Sequence, residues 1–195
     1  RERLEREIPF QFDRANGQYL RNGVVVPHER VRAVVLGFID ESSVRVRSLT
    51  EQLRTQNLSL SEWRRQMQEE LRRVHGLAGA WGFGGFNVMG QRHWDLLSRR
   101  LLEQFTFLEA FVSQMVSGAQ RMDGRVTVRA NLYVSAALPT FENSRREMLS
   151  DEGNFTEERR ILSNVEHCVD CVEFAALGWQ PVGTLPPIGE SVCLT

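Results

Sequence analysis

Between residues 91 and 118, apolar side chains recur at Trp94, Leu97, Leu101, Phe105, Leu108, Val112 and Met115, in steps of three and four. Only the α-helical period of 3.6 residues gathers such a series onto one face; a strand would scatter it over both. Leu102, Phe107 and Phe111 widen that face beyond a single seam. The width predicts a central helix buried on two sides, with Phe105 and Leu108 nearly fully buried. Two further stripes precede it. Pro27 can open a helix, because its missing N–H has no partner in a first turn anyway, and Val31, Val35, Phe38, Ser42, Val46, Leu49 and Leu53 follow at helical spacing. Asn57 marks a break, Ser59 or Ser61 can cap the next helix, and Trp63, Met67, Leu71, Val74 and Leu77 form its stripe.

A fourth helix is expected from about Val126 to Leu149, with a kink or break near residue 138 because Pro139 lies inside it. A fifth is expected from Thr156 to Ala176, with Glu157 and Glu158 favoured in its first turn by the helix dipole. Ahead of these helices, residues 8–27 read as extended. Asn22-Gly23 lies between Gln18-Tyr19-Leu20 and Val24-Val25-Val26, and Asn-Gly between β-formers is a strong hairpin signal. A lone hairpin is marginal, so this one should rest on something else, and it reads as a docking arm. The fold class is therefore mainly α: an arm at 1–26, a bundle-like helical body at 27–163 and an irregular tail at 164–195 rich in Cys, Pro and Gly.

The segment Gly76–Gly90 holds six glycines among apolar residues. It lacks the spacing and the lysine of a phosphate loop. A hinge or an exposed sticky loop would fit, but small residues also let helices approach closely, and a buried connector is the favoured reading.

All 24 basic residues are arginine, which rules out a Schiff-base or phosphate-loop lysine. Arginine forks suit carboxylate and phosphate partners. The doublets Arg64-Arg65, Arg72-Arg73, Arg99-Arg100, Arg145-Arg146 and Arg159-Arg160 each lie near glutamates, so intrahelical ion pairs compete with a phosphate- or protein-contacting surface. With a net charge of −1, nothing global calls for nucleic acid or an acidic membrane. No run of about 18 apolar residues is present to span a membrane. The charged opening Arg1–Glu7 is unlike a secretory leader, and without an initiator methionine the first residues are expected to be missing or removed.

Cys168, Cys171 and Cys193 are the three cysteines. Cys168-x2-Cys171 has knuckle spacing, which brings two sulfurs within reach of one tetrahedral ion, and Cys193 is a third candidate ligand for a structural zinc. His167 is an awkward fourth beside Cys168. A disulfide and reduced structural cysteines remain the alternatives. His28, His75 and His93 are scattered, with the look of solvated or core-edge histidines, and no H-E-x-x-H, G-x-S-x-G or G-x-G-x-x-G occurs. The expectation is no enzyme.

The tail carries Glu158-Arg159-Arg160-Ile161-Leu162, then Glu166-His167-Cys168-Val169-Asp170-Cys171. Gly178-Trp179-x-Pro181-x-Gly183-x-Leu185-Pro186-x-Ile188-Gly189 and Cys193 follow. In this order they resemble the C-terminal signature of tailed-bacteriophage head-morphogenesis (MuF-like minor head) proteins. That signature continues into a further pair of cysteines and a short aromatic strand, so this protein is expected to run on. The resemblance implies a virion component of the capsid head, assembled in the bacterial host cytoplasm in multiple copies. Its partners would be portal or capsid proteins, with packaged DNA as a further contact, and its part would lie in head assembly, DNA packaging or ejection. Two other classes fit the residues: a zinc-knuckle nucleic-acid-binding module and a cysteine-dependent enzyme or toxin domain.

Overall fold

The computed structural model of the chain describes residues 10–151, 155–162 and 167–186. The protein is mainly helical, with a small antiparallel sheet in front of the helices. Strands β1 (Gln11–Asp13), β2 (Gln18–Arg21) and β3 (Val24–Val26) form a meander in that order. Asn22 and Gly23 both take positive φ, 53° and 77°, as the tight turn between β2 and β3 requires. The hairpin expected from Asn-Gly is therefore present, extended by one more strand.

This sheet is not a free arm. Tyr19 is buried, and its hydroxyl donates to the Trp81 carbonyl in the helical body. Phe10 meets the Trp81 ring edge-on at 5.4 Å, and Phe12 lies against Tyr19. Gly84 completes the seat: its φ of +87° suits glycine, and a Cβ there would fall 2.5 Å from the Phe12 ring. The strands are one wall of the core, so removing them would open it.

Five helices make the body: α1 (His28–Arg54), α2 (Leu60–Gly82), α3 (Gln91–Val116), α4 (Gly124–Ser135) and α5 (Ala137–Asp151). Pro27 precedes α1 as expected, and Ser59 caps α2 by accepting the Glu62 N–H at 3.2 Å. No described helix is long and apolar enough to cross a membrane.

The central helix is α2, not α3. It packs against α1, α3, α4 and α5, most extensively against α5, whereas α3 leans mainly on α2, with lesser contacts to α5 and, through Phe107 and Phe111, to Tyr133 of α4. Trp63, Met67, Leu71, Val74 and Leu77 are all buried, and Trp63 donates from Nε1 to the Thr50 hydroxyl of α1 at 3.2 Å. On α3, Leu108 and Phe111 are buried as a one-sided helix requires, but Phe105 is only half-buried beneath the Arg72 guanidinium. Leu102, Phe107 and Val116 face outward.

Small residues explain why α2 takes the centre. A Cβ on Gly79 would sit 2.4 Å from Leu97 of α3, and one on Gly82 would sit 2.3 Å from the Phe141 carbonyl of α5. Residues 77–86 are buried throughout, so the glycine-rich stretch is the close-approach connector and not a hinge.

The expected break at Pro139 falls at Ala136, between α4 and α5. Proline then occupies the first turn of α5, where no intrahelical N–H is needed. His75 of α2 spans this break. Its Nε2–H donates to the Tyr133 carbonyl at 2.9 Å, and its Nδ1 contacts the Thr140 hydroxyl at 2.9 Å. A last-turn carbonyl has no partner within its own helix, and the imidazole supplies one. His75 is thus a fully buried core residue, not a solvated or edge one.

The expected helix from Thr156 to Ala176 does not form as one piece. Glu157–Glu158 is strand β4, paired antiparallel with β5 (Gln180–Pro181), and the helix α6 covers only Val169–Ala176. Ile161 and Leu162 are exposed, so a helix there would gain no packing to offset its ordering.

Candidate functional site

Helix α6 holds the described part of the cysteine knuckle. Cys168 is its N-cap residue and Cys171 lies three positions on, so the two project from one end of the helix on the same side. Both are half-buried thiols and neither is in a disulfide. The third candidate ligand, Cys193, lies outside the described residues. Among the described residues no three His, Cys, Asp or Glu side chains are placed to share a metal. The Cys168–Cys171 pair fits half of a tetrahedral thiolate site, and the other ligands would come from beyond the described residues.

The same tail folds against α5 through one carboxylate. Glu158 Oε1 accepts from the Arg146 guanidinium, from the Gly183 N–H at 3.0 Å and from the Leu185 N–H at 3.2 Å. Arg146 also donates to the Leu185 carbonyl at 2.6 Å. Glu158, expected to begin a helix, instead ties β4, the 182–185 turn and α5 together. Alongside, Arg160 donates to the Pro186 carbonyl at 2.6 Å, and Arg159 stacks over the Trp179 ring at 4.8 Å.

These contacts enclose a cleft of about 270 Å³ between α5 and the tail. The doublets Arg145-Arg146 and Arg159-Arg160 meet there, with Asn143, Glu142, Glu157 and Glu158 among them and Leu149, Phe155, Val182, Leu185 and Pro186 as apolar walls. Burial raises the Glu142 carboxyl, but the His28 hydrogen bond and the charges of His28, Arg145 and Arg32 outweigh it, and the group stays ionised below the usual range. Among the described lining residues there is no serine, cysteine, histidine or lysine; the polar groups are arginines, glutamates and one asparagine. Its guanidinium groups suit an anion.

Arg64, Arg65 and Arg73 of the other doublets take the ion-pair role. Arg65 bridges Glu62 and Glu69 along α2, Arg64 reaches Glu109 on α3 at 2.7 Å, and Arg73 binds Glu70 and Ser42. The exposed pairs among these contribute little to stability.

The meeting of two doublets 14 positions apart escaped the sequence reading, and so did Asn143. Their only trace in the sequence is the arginine pairs themselves, which look the same whether they pair along a helix or converge in space.

Two outer faces are apolar. Leu102 and Phe107 on α3 and Val128 and Leu132 on α4 are exposed. In the tail, α6 buries none of its residues: Val169 is 71% exposed, Val172 49%, and the following Leu177 and Trp179 are 56% and 58% exposed. Compared with family models, with curated proteins and with solved structures, the chain matches none.

Proposed function

We propose that this chain is a structural component of a tailed-phage head, a minor head or head-morphogenesis protein bound to the portal or the inner capsid. It works by holding other virion proteins during head assembly, DNA packaging or ejection, and it turns over no substrate. The observation that carries this reading is α6. A helix of eight residues is too short to be stable by itself in water, and this one has no fully buried residue among the described residues, while Val169, Val172, Leu177 and Trp179 are exposed. Such an element is completed by a partner. The ordered tail signature from Glu158 to Cys193 supplies the kind of partner, since it resembles head-morphogenesis proteins. Heads purified from the producing phage should contain the chain at a low, fixed copy number; its absence from them would contradict the role.

Zinc belongs to this reading as a structural ion on Cys168, Cys171 and Cys193, holding the far end of the tail to α6. Elemental analysis of the full-length protein should find about one zinc per chain, removable by chelator with loss of the tail's structure. A metal-free protein whose tail keeps its protease resistance in chelator would exclude the ion.

A further inference from the structure

We propose that the cleft between α5 and the tail binds an organic carboxylate, with the carboxylate on Arg145 and its apolar stem against Leu149, Phe155 and Leu185. Among the described residues three hydrogen-bond donors of the cleft are unspent. Among the described residues no hydrogen bond or ion-pair contact engages Arg145, whose charge reaches Glu142 only through space, whereas its neighbours Arg146 and Arg160 are committed to Glu158 and to the Leu185 and Pro186 carbonyls. Asn143, only 4% exposed, lines the cleft with an unpartnered Nδ2. Arg160 keeps a buried Nε without a partner. Buried donors left unmatched cost free energy, and one acceptor group with two oxygens would satisfy several of them at once.

The walls decide which anion. Glu142 and Glu158 are each matched already, by His28 with Arg32 and by Arg146, while Glu157 adds a negative charge at the rim. A phosphate dianion would meet that charge and leave the apolar walls uncovered. A monoanion on an aliphatic or aromatic stem matches both. The volume lies just under the range of drug-sized pockets, enough for a small acid or for one terminal residue. Two sources carry this chemistry: a free organic acid, and the C-terminal residue of another polypeptide. The inference is independent of the assembly role.

Calorimetric titration of the full chain tests it, with 3-phenylpropionate, 3-phenylpropionamide, inorganic phosphate, and a phenylalanine-ending tripeptide as free acid and as amide. The expected result is saturable binding of 3-phenylpropionate with one site per chain, no binding of its amide, and affinity at least tenfold lower in Arg145→Gln at an unchanged melting temperature. Binding of the tripeptide acid as well, but not of its amide, marks a chain terminus as the source; exclusion of both peptides marks a free acid. No saturable binding of either acid, equal binding of the amide, preference for phosphate, or an Arg145→Gln protein that binds as well as the parent overturns the proposal.

Discussion

Alanine at Gly82 should cost at least about 3 kcal/mol of stability, whereas alanine at Gly76, six residues earlier in α2, should add about 0.5–1 kcal/mol. In an isolated helix both changes favour folding, because alanine has the better helix propensity. Space sets the sign here. A Cβ at Gly82 would lie 2.3 Å from the Phe141 carbonyl oxygen, 2.6 Å from Ser144 Cβ and 2.9 Å from the Arg145 backbone nitrogen. Two of those atoms are backbone of α5, and they cannot rotate out of the way as a side chain could. To admit the methyl group, α5 must move off the helix it contacts most. At Gly76 nothing lies within 4 Å of the added carbon. For a chain of this size the Gly82→Ala loss corresponds to a melting temperature lower by about 6–12 °C. Thermal unfolding of both variants checks the pair, and a Gly82→Ala protein as stable as the parent would disprove the packing of α2 on α5.

Acid should weaken the fold well above the pH at which its carboxylates protonate. Burial pulls the His75 imidazole down to about 4 from an ordinary 6.5, against the smaller opposing effect of its hydrogen bond to the Tyr133 carbonyl. The folded chain holds the ring neutral, while the unfolded chain protonates it at 6.5. Between those values the unfolded state binds the extra proton, so stability rises with pH. The contribution is full above pH 7 and is lost as pH falls from 6.5 towards 4, with about 2 kcal/mol gone by pH 5 and about 3 kcal/mol in all. Glu70 and Glu142 have lowered carboxyl values, so their contributions are lost only below about 4.5 and leave the upper window to histidine. Urea unfolding at pH 7 and pH 5 should show the difference. His75→Gln should be less stable at pH 7 but should lose most of that slope. An unchanged slope in the variant would place the proton elsewhere.

Helix existence was legible from periodicity, and helix rank was not. Every stripe residue of α2 is buried, and on α1 Val31, Val35, Ser42, Val46 and Leu53 are buried as the spacing predicts, with Ile39 and Thr50 taking the places of Phe38 and Leu49. Every position of the 91–118 stripe is apolar and further apolar residues widen it, yet its helix is peripheral. Bulky side chains at Phe105 and Phe107 hold neighbours off, while Ala78, Gly79, Ala80 and Gly82 allow approach from several sides. Centrality follows from where small residues lie, and hydrophobic periodicity does not encode it. The tail failed for a different reason. Glu157 and Glu158 suit a helix start, but their strand is made by pairing with Gln180 and Pro181 more than 20 residues on. Local propensity carries no information about that partner. Of the candidate site, the cysteine pair was readable as a spacing, whereas the cleft depends on two arginine doublets meeting in space.

The central claim is that the chain acts by contact, through a tail whose apolar helix is covered in the assembled head. Its most direct test is to count copies per purified particle by quantitative mass spectrometry, for the parent and for a Val172→Asp, Leu177→Asp variant. Both residues are exposed, so the variant should keep the parent's circular dichroism and melting temperature. The account predicts a fixed low copy number for the parent and at least a tenfold drop for the variant, since a charge forced into a desolvated apolar contact is costly. Equal incorporation of the two proteins would contradict it.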